Sequence, residues 1–222
     1  MMGTQEIEVS EKAGSIQLEI DESKDSKHCL VLAHGAGAGM DHPFMKSLAK
    51  GICAHGIHVI RFNFPYKQKG KKMPGSPRES ILAIEKVALF AKDKFPDCSI
   101  VLSGKSYGGR MSSQVVAEQP GLGIKGLVYF GFPLHAPGKA STDRANHLKT
   151  IEIPQLFLQG TNDALANYEM IQAVVAEQKK ADLVAFELAD HSFKTPKTAP
   201  MKTSEVFKQL VDRAAQWIMG LP

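Results

Sequence analysis

Long apolar runs are missing from this 222-residue chain. Nothing in it approaches the ~18 consecutive apolar residues that a membrane helix requires, so no membrane span is expected. Cysteine is scarce. Cys29, Cys53 and Cys98 are odd in number and far apart in sequence. That argues against a disulfide framework or a Cys-rich metal site and fits a reducing cytoplasm. A surplus of one charge is also lacking: 27 Lys+Arg against 23 Asp+Glu leave a net charge of +4. Such a balance does not argue for a nucleic-acid partner. Residues 1–10 are polar and acidic and carry no apolar signal core. Internal repeats, low-complexity tracts and linkers are absent, so one domain over 1–222 is expected, long enough for a substantial core.

What is present is alternation between strand-like and helix-like segments. Short apolar runs read as strands at 29–33, 58–64, 99–102, 126–130, 155–158 and 183–188, and 15–20 alternates like an edge strand. Helical patterns fit 44–54, 78–95, 109–118, 165–178 and 204–219. The second of these opens with Ser76-Pro77-Arg78-Glu79: a capping Ser, a Pro at the first helical position and a Glu at the capping-box position. This order predicts an α/β fold, a mostly parallel sheet with helices on both faces. The interval 133–154 leaves little room for a lid domain.

Gly104-Lys105-Ser106-Tyr107-Gly108, at the end of the run 99–102, is a G-x-S-x-G string between a strand and a helix. A strand that reverses straight into a helix crowds its own backbone, and glycines relieve the crowding. Such a turn lifts the Ser106 hydroxyl above the sheet at a helix N-terminus. A serine hydroxyl needs a base, and the base needs a carboxylate to fix its tautomer. Downstream, the run 155–158 leads into Gln159-Gly160-Thr161-Asn162-Asp163, and 183–188 into Ala189-Asp190-His191. Ser106, Asp163 and His191 are therefore the expected catalytic residues, each at the carboxyl end of a strand. Asp190 and Asp143 are alternatives for the acid, and Asp163 has a second reading as a helix cap. An oxyanion needs two amide donors. They are expected from Tyr107 and from Ala36 in the loop His34-Gly35-Ala36-Gly37-Ala38-Gly39. That loop lacks phosphate-binding spacing. His34 reads as structural, and Arg61 as the partner of a carboxylate. Lys105, Leu134 and His135 are expected to meet substrate. The lysines of 67–72 read either as a solvated loop or as an attractor of anions.

These residues make the chain resemble the α/β-hydrolases over nearly its whole length. More narrowly, it is similar to a small lidless group related to dienelactone hydrolases. That group includes testis-expressed hydrolase-like proteins and a subunit of the NSL histone-acetyltransferase complex. The narrower likeness rests on the glycine loop 34–39, Arg61-Phe62-Asn63-Phe64-Pro65-Tyr66, Gly104 to Arg110, Phe132-Pro133-Leu134-His135 and 159–163. Dienelactone hydrolases use a Cys nucleophile where this chain has Ser106. The resemblance implies acyl transfer on a small ester or thioester, without metal or cofactor. The alternatives are a small-peptide hydrolase using the same residues, or a hydrolase-fold interaction module. The sequence leaves oligomeric state open.

Overall fold

The computed structural model describes residues 2–222; Met1, the first residue of the polar amino-terminal stretch, lies outside them. One eight-stranded sheet runs in the order β1-β2-β4-β3-β5-β6-β7-β8. Its strands are β1 (Met2–Ser10), β2 (Gly14–Asp21), β3 (His28–Ala33), β4 (His58–Phe62), β5 (Ser99–Lys105), β6 (Gly126–Phe130), β7 (Gln155–Gly160) and β8 (Ala181–Phe186). From β4 onward across the sheet all neighbours are parallel; β1 and β2 form an antiparallel hairpin against β4.

The central strands are apolar throughout because both faces are covered. Cys29, Val31 and Ala33 of β3 point into one core with Leu102 and Phe157, while Leu30 and Leu32 point into the other with Val101 and Leu158. The first core is closed by the short α2 (Pro65–Gln68), which contributes Tyr66, and by α3 (Pro77–Lys94), α4 (Tyr107–Glu118) and α5 (Tyr168–Ala176). The second is closed by α1 (Pro43–Ala54) and α6 (Thr203–Met219). The stripe Ile84, Val87, Ala88 and Ala91 of α3 is fully buried, and Ser76 caps that helix by accepting from the Arg78 amide. Pro43 opens α1 behind a His42 cap.

One expectation is corrected. The strand at 15–20 is not at the sheet edge, because residues 2–10 form β1 and pair with it along its length. The signal was weak because polar Glu6 and Glu8 are interleaved with Ile7 and Val9, and only Val9 of these is buried. Gly14, at φ 76°, makes the tight return. The segment 133–154 carries no lid. It forms a 3₁₀ stretch, Asp143–Thr150, packed on α4.

Candidate active site

β5 runs into α4 with Ser106 at the junction, at φ 51° and ψ −115°. No ordinary L-residue conformation lies there, so the turn is strained. The glycines around it allow the backbone to approach itself. A Cβ on Gly104 would meet the backbone of Gly108 and Gly109 and lie 2.9 Å from the Ala33 carbonyl oxygen. A Cβ on Gly108 would lie 2.7 Å from the His34 carbonyl oxygen. The tight turn presses α4 onto β3 and holds the Ser106 hydroxyl at the carboxyl edge of the sheet.

Two later strands bring partners to it. Ser106 Oγ lies 2.8 Å from His191 Nε2, and His191 Nδ1 lies 2.7 Å from Asp163 Oδ2. The carboxylate can only accept, so Nδ1 carries the proton and Nε2 accepts from the hydroxyl. Asp163 is buried. Its Oδ1 accepts from the Leu165 amide at 2.7 Å and its Oδ2 from Gln159 Nε2 at 2.6 Å. Gln159 in turn accepts from the Phe132 amide at 2.9 Å, tying the acid loop to the end of β6. Gln159 was not singled out from sequence. A glutamine closing an apolar strand four residues before the acid is the signal that was there. Asp163 does not cap α5; Asn167 does, by accepting from the Met170 amide. Asp190 instead accepts with its Oδ1 from the Ser192 and Lys194 amides.

The glycine loop after β3 sits beside the hydroxyl, with Ala36 exposed and Tyr107 opening α4. Several groups pin that loop. The Phe64 amide donates to His34 Nε2 at 3.1 Å, and His34 Nδ1 donates to the Gly35 carbonyl at 2.8 Å. Both nitrogens are committed to the neutral ring, and burial lowers the His34 pKa to about 4. Arg61 donates to the Met40 carbonyl and to buried Asp21, while Asn63 accepts from the Met40 amide. His34 and Arg61 are thus scaffolding, and the Arg61 to Tyr66 string supports the loop. The Tyr107 side chain points away from the cleft and donates to Ser80 Oγ at 3.0 Å.

A cleft of about 480 Å³ opens over Ser106 and His191. Ala36, Ala38, Phe44, Met45 and Leu165 give it an apolar wall, with His42, Ser192, Lys105 and Lys194 among its polar lining. Of the three residues expected to meet substrate, only Lys105 borders it. Leu134 is fully buried in the core. His135 spends both ring nitrogens on the Ala136 carbonyl and the Asn167 amide, where it braces the acid loop. Both expectations are corrected: the 133–139 turn packs under the acid loop, not over the cleft. Nor do the lysines of 67–72 line it; Lys69 reaches the Lys12 carbonyl. Sequence reasoning missed Phe44, Met45 and Leu165, because only the tertiary structure brings α1 and the loop after β7 together beside the elbow.

A hydroxyl lifted at the end of β5, with an acid after β7 and a histidine after β8, follows the chain order of α/β-hydrolases. The chain belongs to the alpha/beta hydrolase domain family, whose model matches residues 26–219. Solved structures of the same fold include a dienelactone hydrolase from Anabaena variabilis, 14% identical, with a TM-score of 0.77 over 99% of this chain and 98% of that one. An alpha-beta serine hydrolase homologue from Coxiella burnetii is 20% identical, with a TM-score of 0.74 over 94% and 96%. A lidless serine hydrolase from Xanthomonas campestris is 17% identical, with a TM-score of 0.74 over 100% and 97%. No described helix is long and apolar enough to cross a membrane.

Proposed function

We propose that the protein is a serine hydrolase that cleaves a small ester or thioester by acyl transfer. The observation that carries this reading is the unbroken chain from Ser106 Oγ through His191 to the buried Asp163. His191 Nε2 takes the Ser106 proton as the oxygen attacks the acyl carbonyl. Asp163 holds the Nδ1–H tautomer and stabilises the imidazolium that forms. The Ala36 and Tyr107 amides stabilise the oxyanion. The imidazolium then returns its proton to the departing alcohol or thiol, leaving an acyl-Ser106. Water, activated by the same imidazole, releases the acid.

The cleft supports a small substrate: its apolar wall suits a short acyl chain, and no lid covers it. Three free cysteines are consistent with a cytoplasmic protein. The test is labelling by a fluorophosphonate probe together with turnover of an ester and thioester panel. The native chain should label and turn over, and Ser106→Ala should do neither. A well-folded native chain that neither labels nor turns over any ester would favour an interaction module instead.

A further inference from the structure

Lys105, next to the nucleophile, ends in a buried ammonium with no hydrogen-bond partner. That is unusual, because an unpaired buried charge carries a desolvation penalty. The group lies 5.6 Å from the centre of the Phe193 ring, a cation–π contact that offsets only part of the penalty. On the β6 side it flanks Gly131. A Cβ there would be 3.2 Å from Lys105 Nζ and 3.6 Å from His191 Nδ1, so the ammonium and the imidazole both lie against Gly131.

The charged groups facing it are Asp163, on the loop after β7, and Asp190, on the loop after β8 beside His191. Both carboxylates act on it through space, yet neither bonds to it. Asp163 is committed to His191, Gln159 and the Leu165 amide. Asp190 Oδ1 is committed to the Ser192 and Lys194 amides. Lys105 also borders the cleft, whose lining contains a second cation, Lys194, and no carboxylate. An ammonium beside Ser106 with no hydrogen-bond acceptor, a second cation in the lining and no carboxylate among the lining residues define what the cleft still lacks.

We infer that Lys105 is a specificity residue, and that the cleft takes an ester carrying a carboxylate close to its scissile bond, with the Lys105 ammonium as the partner of that carboxylate. This rests on the ester-hydrolase reading above. The head-group is buried and has no hydrogen bond to break, so meeting a bound carboxylate requires only a turn of its four-carbon stem towards the cleft that the residue lines. A charge-assisted hydrogen bond there replaces the acceptor that the protein does not provide. The apolar wall of Phe44, Met45 and Leu165 leaves room for the rest of the molecule. Burial lowers the Lys105 pKa to about 8, so the partner is charged at neutral pH and loses its charge in the mildly alkaline range.

Two substrate pairs test this. One places the anion on the acyl side, phenyl hemisuccinate against phenyl butyrate. The other places it on the leaving group, 4-carboxyphenyl acetate against phenyl acetate. The readout is the ratio of kcat/KM, anionic over neutral, in the native chain divided by the same ratio in Lys105→Met. This quotient cancels intrinsic reactivity. It should reach about 10- to 100-fold in one pair, the range of a hydrogen bond to a charged group. In the native chain the same preference should fall between pH 7 and 9, which tests the idea even if the variant does not fold. A quotient near one in both pairs, or a native preference that ignores pH over that range, overturns the inference while leaving the hydrolase reading intact. Absence of turnover on all four esters, with no fluorophosphonate labelling, would instead overturn the reading on which it rests.

Discussion

Replacing Ser106 with glycine should yield a more stable protein than replacing it with alanine, even though glycine is normally the poorer residue for stability. The reason is the backbone at this position, φ 51° and ψ −115°. Holding a residue with a Cβ in such a region costs of the order of 1–3 kcal/mol. Alanine keeps the Cβ and the strain. Glycine relieves the strain but loses about 0.5–1 kcal/mol through its larger unfolded-state entropy. Both variants delete the hydroxyl and its bond to His191, so that contribution cancels between them. The net expectation is that Ser106→Gly exceeds Ser106→Ala by up to about 2.5 kcal/mol, with a centre near about 1 kcal/mol. For a chain of this length, the central value corresponds to a melting temperature higher by roughly 2–4 °C. Urea denaturation of the two purified variants, with thermal melts alongside, measures it. An alanine variant more stable than the glycine variant by about 0.5–1 kcal/mol, the whole entropic cost of glycine, would show that the elbow stores no strain at Ser106. Both variants are expected to be inactive, so the pair separates what the turn contributes to chemistry from what it takes from stability.

Other consequences can be checked independently. Asp163→Asn should lower kcat by about 10³- to 10⁴-fold, because an amide does not hold the Nδ1–H tautomer of His191; a loss below tenfold in a protein with native circular dichroism would remove Asp163 from its role. Acid should weaken the fold through two histidines, buried His34 and half-buried His147 of the 3₁₀ stretch Asp143–Thr150, whose ring lies 2.7 Å from Ser113 Oγ. Burial lowers the pKa of both His34 and His147 to about 4, so each stays neutral in the native state while the unfolded chain takes up protons below about 6.5. The unfolding free energy should therefore fall as pH drops from 6.5 towards 4, and this contribution should level off below 4. His147→Asn should remove one proton from that slope in urea titrations, and a slope identical to the native one would contradict the assignment.

Much of the site was legible because hydrolase chemistry imposes local sequence rules. The elbow needs glycines at 104 and 108 because a Cβ at either would strike the backbone of the turn itself or of β3 beside it. The acid and the histidine follow apolar strands that periodicity makes visible. Asp163 was harder, since a carboxylate after a strand also reads as a helix cap. Only its bonds to His191, Gln159 and the Leu165 amide separate the two readings. His135 misled for the opposite reason. A histidine on a loop after a central strand reads as a substrate contact until its two ring nitrogens are seen bracing the acid loop. The amino-terminal strand was missed because its outer positions are charged, and it is held as a strand chiefly by pairing to β2.

The sequence by itself determined the mostly parallel sheet, the place of Ser106 at the strand–helix turn and the positions of Asp163 and His191 after later strands. These depend on hydrophobic period and backbone sterics, which act between residues near one another in the chain. Tertiary structure alone decided which carboxylate faces His191, which helix walls the cleft, and that Lys105 is left without an acceptor. Each of these is a contact between segments far apart in sequence, and it is fixed only when the sheet closes and the loops at its carboxyl edge meet.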